Sequence, residues 1–137
     1  MRIAVGADDQ GGLPAAVIAH LRQAGHDVEL PVPVGAPWPE VGHAVGRVVA
    51  AGPADVGIVA CWTGTGVSIA ANKVPGVRAA LCTDVGTAEG ARRWNDANVL
   101  ALSMERTAPQ AAVEIVDAFL ATDPDPSEQD VIDRVEG

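Results

Sequence analysis

Five short apolar segments alternate along the chain with stretches of helical period, and this alternation restricts the fold more than any other feature. The segments are rich in Val, Ile, Leu and Ala, and they read RIAVGAD (2–8), DVELPV (27–32), DVGIVAC (55–61), RAALC (78–82) and NVLALSM (98–104). Each has the length and composition of a buried strand. Strands that alternate with helices form a parallel sheet with helices on both faces. The sequence therefore predicts the α/β class, as a doubly wound three-layer sandwich with a five-stranded parallel sheet.

The intervals between the strands and the stretch after the last one hold five predicted helices, at 13–24, 40–51, 67–73, 87–94 and 110–121. Gly25 and Gly52 end the first two, and Thr107 is the predicted N-cap of the last. No repeat or linker interrupts the pattern, so residues 1–137 are predicted to form a single domain. Only the acidic, Pro-containing tail at 122–137 differs in composition, and it either docks on a neighbouring surface or frays.

Charge and cysteine content exclude several classes of function. The chain carries a formal net charge of −9 and only nine Lys and Arg residues, which are scattered. Nucleic-acid binding depends on clustered basic residues, so no nucleic-acid partner is expected. No apolar run reaches the length of a membrane span and no signal-peptide pattern opens the sequence, so we expect no membrane partner and a cytoplasmic location. Cys61 and Cys82 lack metal-binding spacing, so both are expected to be reduced thiols and no metal is predicted.

Ligands of doubly wound sheets bind at the carboxyl ends of the strands, where the winding direction reverses. This rule selects candidate residues before any motif is considered. They lie at 8–10 after strand one, 61–66 after strand three, 83–84 after strand four and 103–106 after strand five. The three histidines lie elsewhere, so surface or helix roles are expected for His20, His26 and His43.

The stretch CWTGTG joins the third predicted strand to a helix. Cys61 ends the strand, and Gly64 and Gly66 open the helix, so several backbone N–H groups should converge at its positive end. Such a turn can hold a phosphate or the oxyanion that develops in a reaction, and a thiol beside it could transfer a proton. A cysteine at a strand end is also common as a small buried apolar residue. From these residues alone, both interpretations of Cys61 stay open.

Two further polar stretches allow both a functional and a structural interpretation. Asp8 and Asp9 follow strand one, where adjacent carboxylates can hydrogen-bond a polyol or perturb each other's protonation, although a helix N-cap would account for them equally well. The segment WNDAN, 94–98, places amides and a carboxylate ahead of strand five. Ordinary turn chemistry also accounts for Asn and Asp in that place.

Together these residues resemble the ribose-5-phosphate isomerase B group and its galactose-6-phosphate and allose-6-phosphate isomerase relatives. The resemblance runs from IAVGAD through TGTGVSIAANKVPGVRAALC to NDANVLAL and the helix EIVDAFL. It implies a Rossmann-like sandwich that forms dimers or tetramers, shares its active sites between two subunits and uses no metal or cofactor. It also implies interconversion of aldose and ketose phosphates through an enediolate, with a cysteine as the base in many members.

The resemblance also assigns roles to individual residues of this chain. Cys61 matches the cysteine base, Asp8 the first residue of an Asp-His pair, and Asn95 the asparagine of a His-Asn-Asp motif. The loop that binds the enediolate is matched by Thr63, Gly64, Gly66 and Ser68. The predicted catalytic residues are therefore Cys61, Thr63 and Asp8. The predicted substrate-binding residues are Asp9, Trp38, Trp62, Gly64, Thr65, Gly66, Ser68, Trp94, Asn95 and Arg134.

Aromatic residues replace family residues at three of these positions. Trp94 stands where the family has the histidine that opens the sugar ring, and Asp9 stands where it has the other histidine. Trp62 replaces a glycine beside the cysteine, and Trp38 replaces a tyrosine in the loop before the second helix. Three tryptophans in a chain with almost no other aromatic residue indicate an apolar or stacking surface for the substrate.

The arginines that bind phosphate in the family are mostly missing. Glu105 and Asp130 occupy two of their positions, Arg134 is kept at the last one, and Arg106 is one residue out of register. A phosphate dianion needs Arg or Lys partners, and carboxylates in their place would repel it. The expected substrate is therefore a sugar or sugar-like molecule without the usual phosphate.

These considerations predict an aldose-ketose isomerase or epimerase that works through an enediolate with Cys61 as its base. We expect a homodimer or tetramer with shared active sites, in which the tail at 122–137 docks on the partner subunit. The alternative is a catalytically silent ligand-binding or scaffold subunit that keeps the same fold. Retention of the whole loop around Cys61 favours the enzyme.

Overall fold

The computed structural model describes residues 1–137, and its centre is one sheet of five parallel strands. The strands are β1 Arg2–Ala7, β2 Asp27–Glu29, β3 Val56–Cys61, β4 Ala79–Leu81 and β5 Val99–Ser103. Their order across the sheet is β2-β1-β3-β5-β4. β3 and β5 are buried along their whole length, and for this reason both are continuous apolar runs in the sequence. The predicted five-stranded parallel sheet is confirmed.

Helices connect successive strands, follow the last strand, and cover both faces of the sheet. They are α1 Gly12–Gln23, α2 Trp38–Ala51, α3 Thr65–Asn72, α4 Val85–Asn95, α5 Pro109–Ala121 and α6 Gln129–Ile132, the last preceded by a 3₁₀ turn at Pro126–Glu128. α1, α4 and α5 pack on one face, and α2 packs against α3 on the other. The doubly wound three-layer sandwich is therefore confirmed. None of the helices combines the length and the apolar character that a membrane span requires.

All five predicted helices begin one or two residues before the predicted position, and two of these differences change the place of a residue named above. The prediction places Trp38 in the loop before α2, yet Trp38 is the first residue of that helix, because Pro39 fits the first turn, where its missing N–H costs nothing. Thr107 does not cap α5. The N-cap is Ala108, since the helix begins at Pro109, and the Thr107 hydroxyl is buried without a hydrogen-bond partner.

Glycines let α2 approach both the sheet and α3. A Cβ added to Gly57 of β3 would lie 2.5 Å from a methyl group of Val45, and one added to Gly42 of α2 would lie 2.5 Å from the Cβ of Ala70. Carbon atoms pack at about 3.5–4.0 Å, so any side chain at these two glycines would push the layers apart. The interior is thus built from small side chains, and Phe119 is its one aromatic residue.

The tail at 122–137 is folded against its own subunit. Ile132 of α6 is only 6% exposed, and the Gly76 N–H donates to Oε1 of Glu136 at 3.0 Å. Two valines of the tail stay exposed to solvent, Val131 and Val135. Docking of the tail on a second subunit stays a prediction.

The chain reverses its winding direction between β1 and β3. From β1 it crosses to β2 at one edge of the sheet, and it then returns to β3 on the other side of β1. A crevice therefore forms at the carboxyl ends of β1 and β3, which is where doubly wound sheets bind their ligands.

Candidate active site

The crevice between β1 and β3 brings Asp8 next to Cys61. Ala7 pairs with Ala60 in the sheet, and the Asp8 N–H donates to the Ala60 carbonyl at 3.2 Å, so Asp8 and Cys61 are the next residues along neighbouring strands. A cleft of about 280 Å³ opens here, lined by Asp8, Trp38, Cys61, Trp62, Thr63, Thr65 and Gly66. All of these lining residues belong to the predicted site. The structure thus brings together the predicted site residues that follow β1 and β3, with Trp38.

The loop between β3 and α3 presents a row of unbonded backbone N–H groups. No amide from 62 to 67 donates a hydrogen bond to another protein group, and the first that does is Ser68, to the Gly64 carbonyl at 3.3 Å. Gly64 is the N-cap of α3 and has a φ of 78°, a left-handed conformation that glycine adopts without strain. Together with the positive end of the helix, these amides can bind an anion or a developing oxyanion.

The carbonyl groups of Cys61 and Trp62 accept hydrogen bonds from the end of β5 and the residues directly after it. Met104 N–H donates to the Cys61 carbonyl at 3.0 Å, and Glu105 N–H donates to the Trp62 carbonyl at 2.9 Å. The Ser103 hydroxyl also donates to the Trp62 carbonyl at 2.9 Å. The sequence predicts for this stretch only that it lies at a strand end. A serine at the end of an otherwise apolar strand is the sequence feature that could have indicated this contact.

Asp8 and Asp9 form a negatively charged end of the site. Burial raises the pKa of Asp8, and the neighbouring charge of Asp9 raises it further. With Trp62 and Met104, the two carboxylates line a second cleft of about 240 Å³, which shares Asp8 and Trp62 with the first. Their interpretation as a helix N-cap is wrong, because the N-cap of α1 is Gly11 and the two aspartates lie in a bend before it.

The two cysteines differ in their surroundings. Cys61 is 5% exposed and lines the cleft. Cys82 is fully buried, and burial, with a further contribution from the charge of Asp84, raises the pKa of its thiol to about 11. A thiol with so high a pKa stays protonated at neutral pH and is a poor nucleophile or base. Cys82 is therefore a packing residue.

Aromatic and hydroxyl groups form the walls of the cleft. The Trp38 indole lies over Gly66, where an added Cβ would be 2.8 Å from a ring atom. The hydroxyls of Thr63 and Thr65 are 2.7 Å apart, which is hydrogen-bond distance. Trp62 is 65% exposed and lines both clefts, a placement that suits stacking against a sugar ring.

Three predicted residues lie away from this cleft and form what we call the amino-edge patch, together with Val135. Trp94 and Asn95 are the last residues of α4, which runs back to the amino edge of the sheet, and they line a cleft of about 470 Å³ along that helix. Asn95 and Val135 also line a smaller cleft of about 270 Å³. Arg134 precedes Val135 and is exposed. Within one subunit the two halves of the predicted site are therefore separate.

Asp96 fixes the end of α4 next to Asn95. Its φ of 46° is left-handed, which is uncommon for a residue other than glycine. Its carboxylate lies 3.2 Å from Nη2 of Arg78 and 3.5 Å from Nη1 of Arg92, and Nε of Arg78 donates to its carbonyl at 2.7 Å. Turn chemistry therefore accounts for Asp96, which ends the helix in a left-handed conformation, but not for Asn95, because the helix continues through it.

Positive charge is absent from the walls of the two clefts beside Cys61. No Arg, Lys or His lines either one. Glu105, Arg106 and Asp130 are exposed, and Ser68 lies in the first turn of α3 without lining either cleft. No three His, Cys, Asp or Glu side chains are grouped so that they could hold a metal ion.

Comparisons with known proteins match almost the whole chain. A family model described as Ribose/Galactose Isomerase matches residues 3–136. Ribose-5-phosphate isomerase B of Escherichia coli is 38% identical over 126 residues, covering 87% of this chain and 83% of that protein. The DNA damage-repair/toleration protein DRT102 of Arabidopsis thaliana is 44% identical over 126 residues, but this chain spans only 40% of its length. The solved structure of Clostridium thermocellum ribose-5-phosphate isomerase B matches with a TM-score of 0.93 at 36% identity, covering 99% of this chain and 95% of that one.

Proposed function

Since the chain belongs to the ribose/galactose isomerase family, we propose that it is an aldose-ketose isomerase or epimerase acting on a small sugar or sugar-like molecule. One observation carries the proposal: a thiol, a carboxylate with a raised pKa and a row of unbonded amides share a single cleft. Proton transfer beside a carbonyl requires a base and a group that stabilises the resulting oxyanion. The reaction needs no cofactor, and we propose that it takes place in the cytoplasm.

The proposed reaction passes one proton through the Cys61 side chain. The thiolate takes the proton from the carbon beside the carbonyl, and the electron pair left behind forms the carbon–carbon double bond of an enediolate. The carbonyl oxygen becomes an oxyanion, which the amides of the loop at 62–67 stabilise. Asp8 and the Thr63 hydroxyl bind the two oxygens and relay the hydroxyl proton between them. The thiol then returns its proton to the former carbonyl carbon, which regenerates the thiolate.

The charge of the site supports a substrate without the usual phosphate. Asp8 and Asp9 line the second cleft, and no basic side chain balances them there. Two like charges about 4 Å apart repel by roughly 4 kcal/mol at an effective dielectric constant of 20, so a phosphate dianion would bind poorly beside these carboxylates. The exposed Trp62 ring offers a stacking surface to an uncharged sugar instead.

We also propose that two copies of the chain complete each site. The cleft around Cys61 lacks Trp94, Asn95 and Arg134. Trp94 and Asn95 end α4 at the amino edge of the sheet, and Arg134 precedes Val135, which shares a cleft with Asn95. Trp94 is 55% exposed, and such a large apolar side chain is commonly covered in an assembly. A dimer or tetramer that places the amino-edge patch of one subunit over the Cys61 cleft of another would unite both halves.

Solvent-isotope exchange tests the proposed reaction. The protein is incubated in D₂O with neutral aldoses and ketoses and with their phosphates, and deuterium at the carbon beside the carbonyl is measured by NMR. We expect exchange with a neutral sugar, slower exchange with ribose 5-phosphate, and loss of exchange in Cys61→Ala. Cys82→Ala is the matched control and should keep its activity. Faster turnover of ribose 5-phosphate than of any neutral sugar would contradict the proposed substrate class, and exchange surviving in Cys61→Ala would remove Cys61 as the base.

The same experiment separates the enzyme from a silent binding subunit. Replacement of the ring-opening histidine by Trp94 is the observation that favours this second candidate. Saturable sugar binding by calorimetry, with no deuterium incorporated by any sugar of the panel, would support it.

A further inference from the structure

Ser103 connects the segment that follows β5 with the loop that follows Cys61. It is the last residue of β5 and is almost fully buried. Its hydroxyl donates to the Trp62 carbonyl at 2.9 Å and accepts from the Arg106 N–H at 3.1 Å. One hydroxyl thus holds two separate backbone segments in a fixed relation.

The geometry of the peptide bond links these contacts to the amides of the cleft. A trans peptide is planar, and its N–H points opposite to its C=O. The Trp62 carbonyl faces the segment after β5, because it accepts from the Ser103 hydroxyl and from the Glu105 N–H. The N–H of the same peptide belongs to Thr63 and therefore points away from that segment. The Cys61 carbonyl also faces the segment after β5, because it accepts from the Met104 N–H.

We infer that Ser103 is a positioning residue for the amides that bind the oxyanion. Without its hydroxyl, the Trp62 carbonyl keeps only one donor, and the peptide that joins Trp62 to Thr63 gains freedom to rotate. A misdirected amide stabilises the transition state less, while contacts of the substrate elsewhere in the cleft are unchanged. The catalytic part of this inference rests on the proposed function, whereas the ordering of the loop does not.

The kinetic test compares Ser103→Ala with Thr107→Val. Thr107 has a buried hydroxyl four residues further on, and this hydroxyl has no hydrogen-bond partner, so its removal breaks no hydrogen bond. With the sugar that the wild-type protein turns over, Ser103→Ala should lower kcat about tenfold or more and change KM by less than about twofold. Thr107→Val should keep both constants. A purely structural serine would lower stability without this split between kcat and KM.

A second measurement does not depend on turnover. Backbone ¹⁵N relaxation should show lower order parameters for the amides of Trp62, Thr63 and Gly64 in Ser103→Ala, and unchanged ones in Thr107→Val. If Ser103→Ala does not fold, Ser103→Cys keeps nearly the same volume and weakens the same hydrogen bonds. Unchanged order in the loop would overturn the inference, even for a protein that proves inactive. Reduced order with kcat unaltered in an active enzyme would overturn its catalytic part.

Discussion

Asp8 carries its charge in an unfavourable place, partly buried at the end of β1 and next to Asp9. The sequence alone selects Asp8 and Cys61, because Asp8 follows one apolar strand, Cys61 ends another, and parallel strands end at a common edge of the sheet. It does not give the contact of Ser103 with Trp62. That contact depends on how two segments that are distant in the sequence pack against each other, and no local sequence pattern predicts it.

Replacing Asp8 by Asn should raise stability and lower activity. The raised pKa of Asp8 means that the folded protein holds this proton more tightly than the unfolded chain does, so ionisation of Asp8 costs stability as the pH rises. We expect the melting temperature of Asp8→Asn to exceed that of the wild type by roughly 1–2 °C at neutral pH. The difference should disappear below the ordinary aspartate pKa of 3.8, where both states are protonated.

The activity of Asp8→Asn should fall about 100-fold or more, because the amide cannot relay a proton. Thermal melts between pH 3 and 8 measure the stability, over a range that spans the titration of carboxyl groups. The rate of deuterium exchange into the sugar at neutral pH measures the activity. A variant that loses stability at every pH would show that Asp8 is held by favourable contacts and does not bear an electrostatic cost.

The first turn of α3 is the element on which the site depends most. The sequence predicts that this helix begins at residue 67, whereas it begins at Thr65, because Gly64 provides the left-handed N-cap. The position of Trp38 against this turn could not be predicted. It follows from the start of α2 at Trp38 and from the close approach of α2 to α3, which are properties of helix packing.

Gly66→Ala and Gly86→Ala should have different effects, although both glycines are the second residue of a helix. Ala is favoured over Gly in helices by up to about 1 kcal/mol. A Cβ at Gly86 meets only an oxygen of Asp84 at 3.5 Å, so we expect that gain in stability there. A Cβ at Gly66 would lie 2.8 Å from the Trp38 ring, so the indole must move and the gain should be lost.

Urea denaturation measures the difference in stability between the two variants, and the rate of deuterium exchange into the sugar measures the difference in activity. Gly66→Ala should lose most of its activity through displacement of the indole from the cleft, and Gly86→Ala should retain it. A Gly66→Ala protein as stable and as active as Gly86→Ala would show that Trp38 does not form a fixed wall.

For the whole molecule, the alternation of strands and helices is enough to predict the sheet and its layers. The order of the strands is not encoded locally, and it decides which residues meet. The carboxyl edge gathers Asp8, Cys61 and their neighbours, and the amino edge gathers Asn95 and the tail. The predicted site contains residues from both edges. A single copy of the fold keeps them apart, and the proposed assembly is what would unite them.

Subunit mixing tests this assembly. The protein should have twice the 13.9 kDa mass of one chain, or a larger even multiple, when measured by mass photometry at nanomolar concentration. Cys61→Ala and Asn95→Ala should each be inactive alone. Unfolded together and refolded as a mixture, they should recover about a quarter of wild-type activity, because half of the dimers are mixed and each has one intact site. A monomer, or a mixture without recovery, would contradict a shared site.

The placement of the tryptophans makes the protein its own optical reporter. Trp38 and Trp62 line the cleft beside Cys61, Trp94 lines the cleft along α4, and the chain contains no tyrosine. Its near-ultraviolet emission therefore originates almost entirely at the clefts, from indoles that are 44%, 65% and 55% exposed, in chain order. A sugar that covers one of these rings should shift the emission to shorter wavelength. Substrates can thus be sought by titration without a label, before any reaction product is known.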